Sequence, residues 1–299
     1  VNAQASSAAL GSGRPARRPR LSDALRRRLT RWSLYGALIL ITAAVTFPVL
    51  WMLSVSFKPT TDTFSLPPRL IPEHFRIDGY LKVLQNASFR AFIVNSYLIG
   101  IAVTLLSLVI GTLAAFAFSR YRFFGDRLAK LFVISTQMVP TITLLIPFFG
   151  VIVWLRLYDT RIGLVITYLT FGLPYAIIMM IAYLDTIPRD FDEAAIIDGC
   201  SPLRVLFSVL LPMATPGLIS TAVYTFLLSW NEFLFALALT RSTEVRTVPV
   251  GISMLVGEFG LKWDEMMAFS VIGSVPVLIL FMFVQRYVVS GLSAGGVKG

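Results

Sequence analysis

Few side chains in this sequence are equipped for chemistry. The chain has one cysteine, Cys200, and one histidine, His74. No disulfide can form within it, and a Cys/His metal cluster cannot be built from single residues. A Cys–His nucleophile pair would need His74 beside Cys200, yet the topology below sets them on opposite sides of a membrane. No G-x-x-x-x-G-K-[ST] phosphate loop occurs, so the chain is not expected to hydrolyse ATP by itself. We assign no catalytic residue and no metal site. What remains is a polar segment at 185–212 and two polar points inside apolar runs, Asn231-Glu232 and Gln137. A charge at the depth of Glu232 is costly, so it should face a bundle interior or a wet cavity. Lining a pathway and pairing with a neighbouring helix both stay open for Asn231 and Glu232. Gln137, beside Met138-Val139-Pro140, is a weaker candidate of the same kind.

The elements that position these residues are apolar. The chain has 299 residues, 56% hydrophobic and 14% charged, with a mean hydropathy of +0.77. Ordinary globular domains carry about 25% charged residues. Crossing a hydrocarbon core takes roughly 20 apolar residues in a helix. Six stretches qualify: 33–57, 91–118, 128–155, 162–184, 213–239 and 266–289. They do not alternate as barrel strands would, and backbone groups in lipid must be satisfied internally. The sequence therefore predicts an all-α integral membrane protein with six transmembrane helices. The first run far exceeds the roughly 7 to 15 apolar residues of a signal peptide, so it is expected to stay.

Lys and Arg set the expected orientation. Residues 1–32 hold eight arginines, and Arg120, Arg122, Arg127, Lys130, Arg189, Arg204, Arg286 and Lys298 fall on the same side. Both termini and the 185–212 loop are expected in the cytoplasm, with external loops at 58–90 and 240–265. The net charge of +10 fits headgroup contact and topology better than nucleic acid, for which no aromatic-basic module is present. Residues 1–31 read as a basic, disordered cytoplasmic tail, 32–290 as the transmembrane domain and 291–299 as a cytoplasmic tail. Prolines at 48, 140, 147, 174, 216 and 276 can be hinges or ordinary packing features. The stretch VPVGISMLVGEFG is apolar yet too short to span. It is expected to be re-entrant, interfacial or a docking surface.

Within 185–212 the local signals are specific. Asp190 stands three residues before Glu193 as a capping-box variant, and Gly199 is a natural C′ residue. Together they predict a short helix over 191–198. Ser201-Pro202 offers an N-cap with proline at N1, opening a second helix to Leu211 before Pro212. Ala194 and Ala195 let another surface approach, while Glu193 and Asp198 stay available. Five carboxylates (Asp185, Asp190, Asp192, Glu193, Asp198) against Arg189 and Arg204 suit an anionic leaflet poorly. Docking to a protein accounts for the segment better than resting on headgroups.

Glu193-Ala194-Ala195, three residues, Gly199, nine residues, then Val209-x-Leu211-Pro212 resembles the E-A-A-x3-G-x9-[IV]-x-L-P signature of ATP-binding-cassette importer permeases. Trp230-Asn231-Glu232-Phe233 resembles the carbohydrate branch of that family. The ending from Gln285 to Gly299 is similar to the tail of the smaller maltose-importer permeases. The resemblance covers about 30–299 and implies a type I importer permease in a bacterial or archaeal inner membrane. It makes the segment around Phe191, Glu193, Ala194, Ala195, Asp198 and Gly199, with Leu211 and Pro212, the contact to a separate ATPase. It brings the tail, with Gly295, Gly296 and Lys298, toward the ATPase dimer, and makes 241–265 the probe of a binding protein. The implied partners are a second permease subunit, two ATPase subunits and an extracytoplasmic solute-binding protein. No cofactor is implied in this chain; ATP and Mg would bind the partner ATPase. The implied cargo is a sugar. The competing expectations are an ion-coupled secondary transporter or channel, with Glu232 as its coupling carboxylate, and a membrane-embedded enzyme.

Overall fold

The computed structural model describes residues 21–256 and 263–295, and its contacts divide the chain into two units, Val1–Trp51 and Met52–Gly299. What is described of the first unit belongs to one helix, α1 (Leu21–Ser56). This corrects the disordered tail expected over 1–31: the helix starts at Leu21, because Leu, Ala and Arg are strong helix formers and carry it upstream of the apolar run. Residues 1–20 of that tail lie outside the described residues. Leu34, Ile39, Leu40 and Val45 are all exposed. A helix hydrophobic all round belongs in lipid or a protein core.

The second unit carries α2 (Asp78–Gln85), α3 (Ala87–Arg120), α4 (Asp126–Thr136), α5 (Leu145–Trp154), α6 (Arg161–Leu184), α7 (Asp190–Ile197), α8 (Pro202–Val205), α9 (Leu211–Met213), α10 (Thr215–Trp230), α11 (Leu234–Leu239), α12 (Val248–Met254) and α13 (Trp263–Gly295). Among the described residues there is no strand. Four helices are long and apolar enough to cross a membrane, or six spans if each of two bent pairs counts as one.

One bend falls inside a run that hydropathy reads as continuous, the other at the start of such a run. The run expected at 128–155 breaks by 96° between Asp126–Thr136 and Thr141–Trp154. Pro140 has no N–H to donate and disfavours helical geometry at Val139. Gln137 N and Met138 N close α4 on the carbonyls of Ile134 and Ser135 before a 3-10 turn at Thr141–Leu144 restarts the chain. The other bend, 84°, separates Pro202–Met213 from Thr215–Trp230. Pro140 and Pro216 thus flank bends, whereas Pro48, Pro174 and Pro276 sit within continuous helices.

The second unit is centred on α3, α6 and α10. Asn95 near the start of α3 meets Arg161 at the start of α6, and Arg120 at the end of α3 meets Ile187 just beyond α6. These two helices therefore run parallel. α10 returns between them, its Gly217 against Tyr183 and its Phe226 against Gly100. A Cβ on Gly111 would stand 2.9 Å from Ala176 Cβ, so the α3–α6 contact is nearly backbone to backbone. Buried Thr104, Thr167, Thr221 and Thr225 return their hydroxyls to carbonyls four residues earlier. These four hydroxyls are thereby satisfied within the helices that carry them.

Two further segments take helical form. In VPVGISMLVGEFG, the helix α12 buries Val248, Val250 and Gly251, with Gly251 pressed on Phe92 and Phe269. These three residues serve the chain's own core; residues 257–262 lie outside the described residues. At the other end α13 runs to Gly295. Residues 291–295 of the expected cytoplasmic tail continue this helix, where Leu292 and Ala294 favour it. Gly296 and Lys298 lie outside the described residues.

Candidate functional site

The helix α7 is fixed at both ends by backbone chemistry. Its start differs from the expected capping box. Arg189 rather than Asp190 is the N-cap, and its carbonyl accepts from Asp192 N at 2.9 Å and Glu193 N at 3.0 Å. Arg189 is held there because its Nη2 donates to Ser119 O at 2.9 Å. Asp190, Asp192 and Glu193 then occupy the first turn, where carboxylates favour the positive end of the helix dipole. At the other end Gly199 takes φ +83°. Gly199 N donates to Ile196 O at 2.9 Å and Cys200 N to Ala195 O at 3.0 Å, the two bonds of a Schellman cap. A Cβ on Gly199 would meet nothing within 4 Å. The demand for glycine is therefore conformational, not steric. Cys200 packs, partly buried, against the same apolar cluster as Ala195.

Beyond the cap, Pro202 opens α8 at N1, but the Ser201 hydroxyl makes no cap bond; Val205 N uses the Ser201 carbonyl. The expected continuous helix to Leu211 contains a π turn at Leu206–Leu210. Pro212 crowds the carbonyl four residues upstream, and the widened turn over Ser208 accommodates it while Leu206 and Leu210 stay fully buried. Leu211 is half-buried and Pro212 exposed.

The two faces of α7 are unlike. Asp192 and Ala195, three apart, are buried. Arg120 Nε lies 2.6 Å from Asp192 Oδ2, with both side chains largely covered. Arg120 Nη2 also donates to Ile187 O at 3.0 Å, and the Ser119 hydroxyl donates to Asp185. Burial pushes the Asp192 carboxyl up from its ordinary value, against the pull of Arg120 and Arg189. The opposite face shows Phe191, Ala194 and Ile197, with Ile197 85% exposed, flanked by exposed Glu193, Asp198 and Gly199. Of the residues singled out from sequence, Ala195 thus faces inward and the others on α7 face outward. Arg120 and Asp192, which fasten the helix, were missed. The legible signal was Asp192 three residues before Ala195, and an arginine closing the α3 apolar run.

The second group of polar residues lies where α10 stops. The Glu232 carboxylate accepts from Phe235 N at 2.9 Å and Ala236 N at 3.0 Å, capping α11. Fully buried Tyr168 brings its hydroxyl toward the same carboxylate without a well-aligned hydrogen bond. Asn231 is exposed and returns Nδ2 to Leu227 O at 2.8 Å. Half-buried Gln137 closes α4 at the other break. All three polar residues therefore lie where one helix stops or the next begins.

The family described as "Binding-protein-dependent transport system inner membrane component" matches residues 107–294. The inner membrane ABC transporter permease protein YcjP of Escherichia coli is 36% identical over 276 residues, covering 92% of this chain and 99% of its own. The trehalose/maltose transport system permease protein MalG of Thermococcus litoralis is 38% identical over 264 residues, covering 87% and 94%. Among solved structures, a bacterial ABC transporter involved in alginate import aligns with a TM-score of 0.74 at 24% identity, over 87% of this chain and 96% of that one. The likeness to that structure is one of fold. A family match over more than half the chain, with relatives above 30% identity along nearly its whole length, fixes its membership. The chain belongs to the inner-membrane components of binding-protein-dependent transport systems.

Proposed function

We propose that this chain is one of two permease subunits of an ATP-driven sugar importer, forming half of the translocation pathway and docking a separate ATPase through α7. The observation that carries this reading is the division of α7. One face is locked to the chain by the Arg120–Asp192 pair, and the other offers Phe191, Ala194 and Ile197 to solvent. An apolar face on a rigid, charge-flanked helix suits the cleft of a protein partner. The sugar class rests on relatives named for trehalose and maltose or for sulfoquinovosyl glycerol.

The mechanism proposed is alternating access. ATP and Mg bound in the partner would drive its closure and carry α7 with it. α3 and α6 are suited to deliver that motion because both are clamped at the far end too. There Asn95 Nδ2 donates to Glu244 O at 2.8 Å and Arg246 O at 2.9 Å, Asn95 Oδ1 accepts from Arg161 Nε at 2.7 Å, and Ser96 accepts from Val248 N. On this reading an extracytoplasmic binding protein delivers solute, and the second permease subunit completes the pathway. Asn231, Glu232 and Gln137 are placed at breaks where polar groups could meet a solute. The ion-coupled alternative is set aside, since the family is binding-protein-dependent and the Glu232 carboxylate caps α11.

Glu193→Lys tests the docking. It is expected to abolish uptake and weaken ATPase co-purification while membrane insertion stays normal. Unimpaired uptake by this variant contradicts the assignment of α7.

A further inference from the structure

Beside the anchor of α7 lies a groove of about 940 Å³, formed by the ends of α3 and α6 and the start of α4. Its cations are Arg120, Arg122, Arg127, Lys130 and Arg189, against two carboxylates, Asp126 and Asp185. Both carboxylates have local donors: Asp126 accepts from Arg127 N at 2.6 Å and Asp185 from the Ser119 hydroxyl. Arg120 is committed to Asp192. Among the described residues no ion pair closes on Arg122, Arg127, Lys130 or Arg189. The groove therefore carries a net excess of positive charge at the ends of two long apolar helices, where the edge of a bilayer must fall.

A second cavity adjoins it. Its volume is about 130 Å³ and its walls are apolar, chiefly Val133 and Ile134 of α4 and Ile177, Ile178 and Ile181 of α6. The two cavities share Phe118, Lys130 and Ile134. At that junction the Lys130 ammonium lies over the Phe118 ring, 5.9 Å from its centroid. On the same helix Leu128 and Phe132 are 73% and 70% exposed, so α4 presents an apolar surface beside the cleft.

We infer that this paired site holds an anionic phospholipid, its phosphate in the basic groove and the start of an acyl chain in the isoleucine cleft. Charge alone would suit any phosphate. The apolar cleft opening from the same Lys130–Phe118 wall is what selects a lipid, because free phosphate has nothing to place there. Basic pockets between membrane helices commonly take anionic headgroups. The position carries a consequence for coupling. Arg189 lines the groove and also forms the N-cap of α7, so a bound headgroup would brace the same turn that seats the helix.

The test uses the full transporter complex in nanodiscs of phosphatidylcholine, with and without phosphatidylglycerol, reading retained lipid by native mass spectrometry. The wild type is expected to retain phosphatidylglycerol preferentially. Arg122→Gln with Arg127→Gln, both exposed positions, should lower that preference by roughly fivefold per cation removed. Ile178→Trp, which fills the cleft and leaves the charges intact, should lower it as well, and inorganic phosphate should not displace the lipid. Unchanged retention in the charge variant, or displacement by inorganic phosphate alone, would overturn the proposal. So would unchanged lipid retention with loss of the ATPase from the charge variant, which would make the groove a protein contact. Thermal unfolding in phosphatidylcholine alone checks that each variant is folded, and a misfolded Ile178→Trp leaves the two-arginine variant to decide.

Discussion

Arg120 and Asp192 meet where a long apolar helix ends and α7 begins, and the pair is costly to form as well as costly to break. Burial raises the Asp192 carboxyl despite two nearby guanidinium groups, so desolvation outweighs their attraction. Removing one partner is worse than never having had the pair, since it strands a covered charge. Arg120→Ala should therefore loosen α7, costing about 3 kcal/mol, the low end for a buried pair because its rim still reaches the surface. The pH dependence has a definite sign. A carboxyl raised in the folded state contributes stability that is complete below its ordinary value near 4 and lost as pH rises through the raised value. Without Arg120 that value should climb further, so the deficit should shrink on acidification. Hydrogen exchange of the α7 amides in wild type and variant across pH checks both points, and a deficit that grows toward acid pH would contradict the account.

Among the elements, α7 was the most legible in sequence. Gly199 and Pro202 bounded it to within a residue, because a left-handed cap and a proline at N1 are local demands that little else satisfies. The spans were legible as apolar runs, and the 84° bend falls where Pro212 was expected to part the 185–212 loop from the next span, yet the 96° bend was not legible, because hydropathy averages over a break that backbone hydrogen bonding decides. The polar residues left inside those runs, Gln137 and Asn231-Glu232, were in retrospect the visible trace of helix ends. The capping box failed because Arg189 is held by Ser119, some 70 positions away, a contact no local pattern encodes. Two glycines separate local from tertiary demands. Gly199→Ala should cost about 1–2 kcal/mol through backbone conformation alone, and Gly199→Asn should recover part of it. Gly217→Ala would place its Cβ 2.2 Å from the Tyr183 ring, so it should impair packing of α10 on α6 far more. Thermal unfolding of the purified variants ranks them, and a milder effect at Gly217 than at Gly199 would be inconsistent with this packing.

At the scale of the whole molecule, parallel α3 and α6 join two clamped ends, one holding α7 and the other the 244–248 segment through Asn95 and Ser96. Composition foretold a membrane bundle but not this coupling, since Asn95 reads in sequence as one more polar residue near a helix start. The central claim is that the exposed face of α7 is the joint to an ATPase on another chain. Because Cys200 is the only cysteine in the sequence, Cys200→Ser gives a thiol-free background in which Ile197→Cys places one reactive group on that face. The decisive measurement is cross-linking of this cysteine in membranes carrying the complete transporter, scored together with ATP-dependent uptake. The account predicts an adduct with the ATPase subunit and loss of uptake once it forms. Adducts confined to lipid or to other membrane chains, with uptake undisturbed, would contradict it.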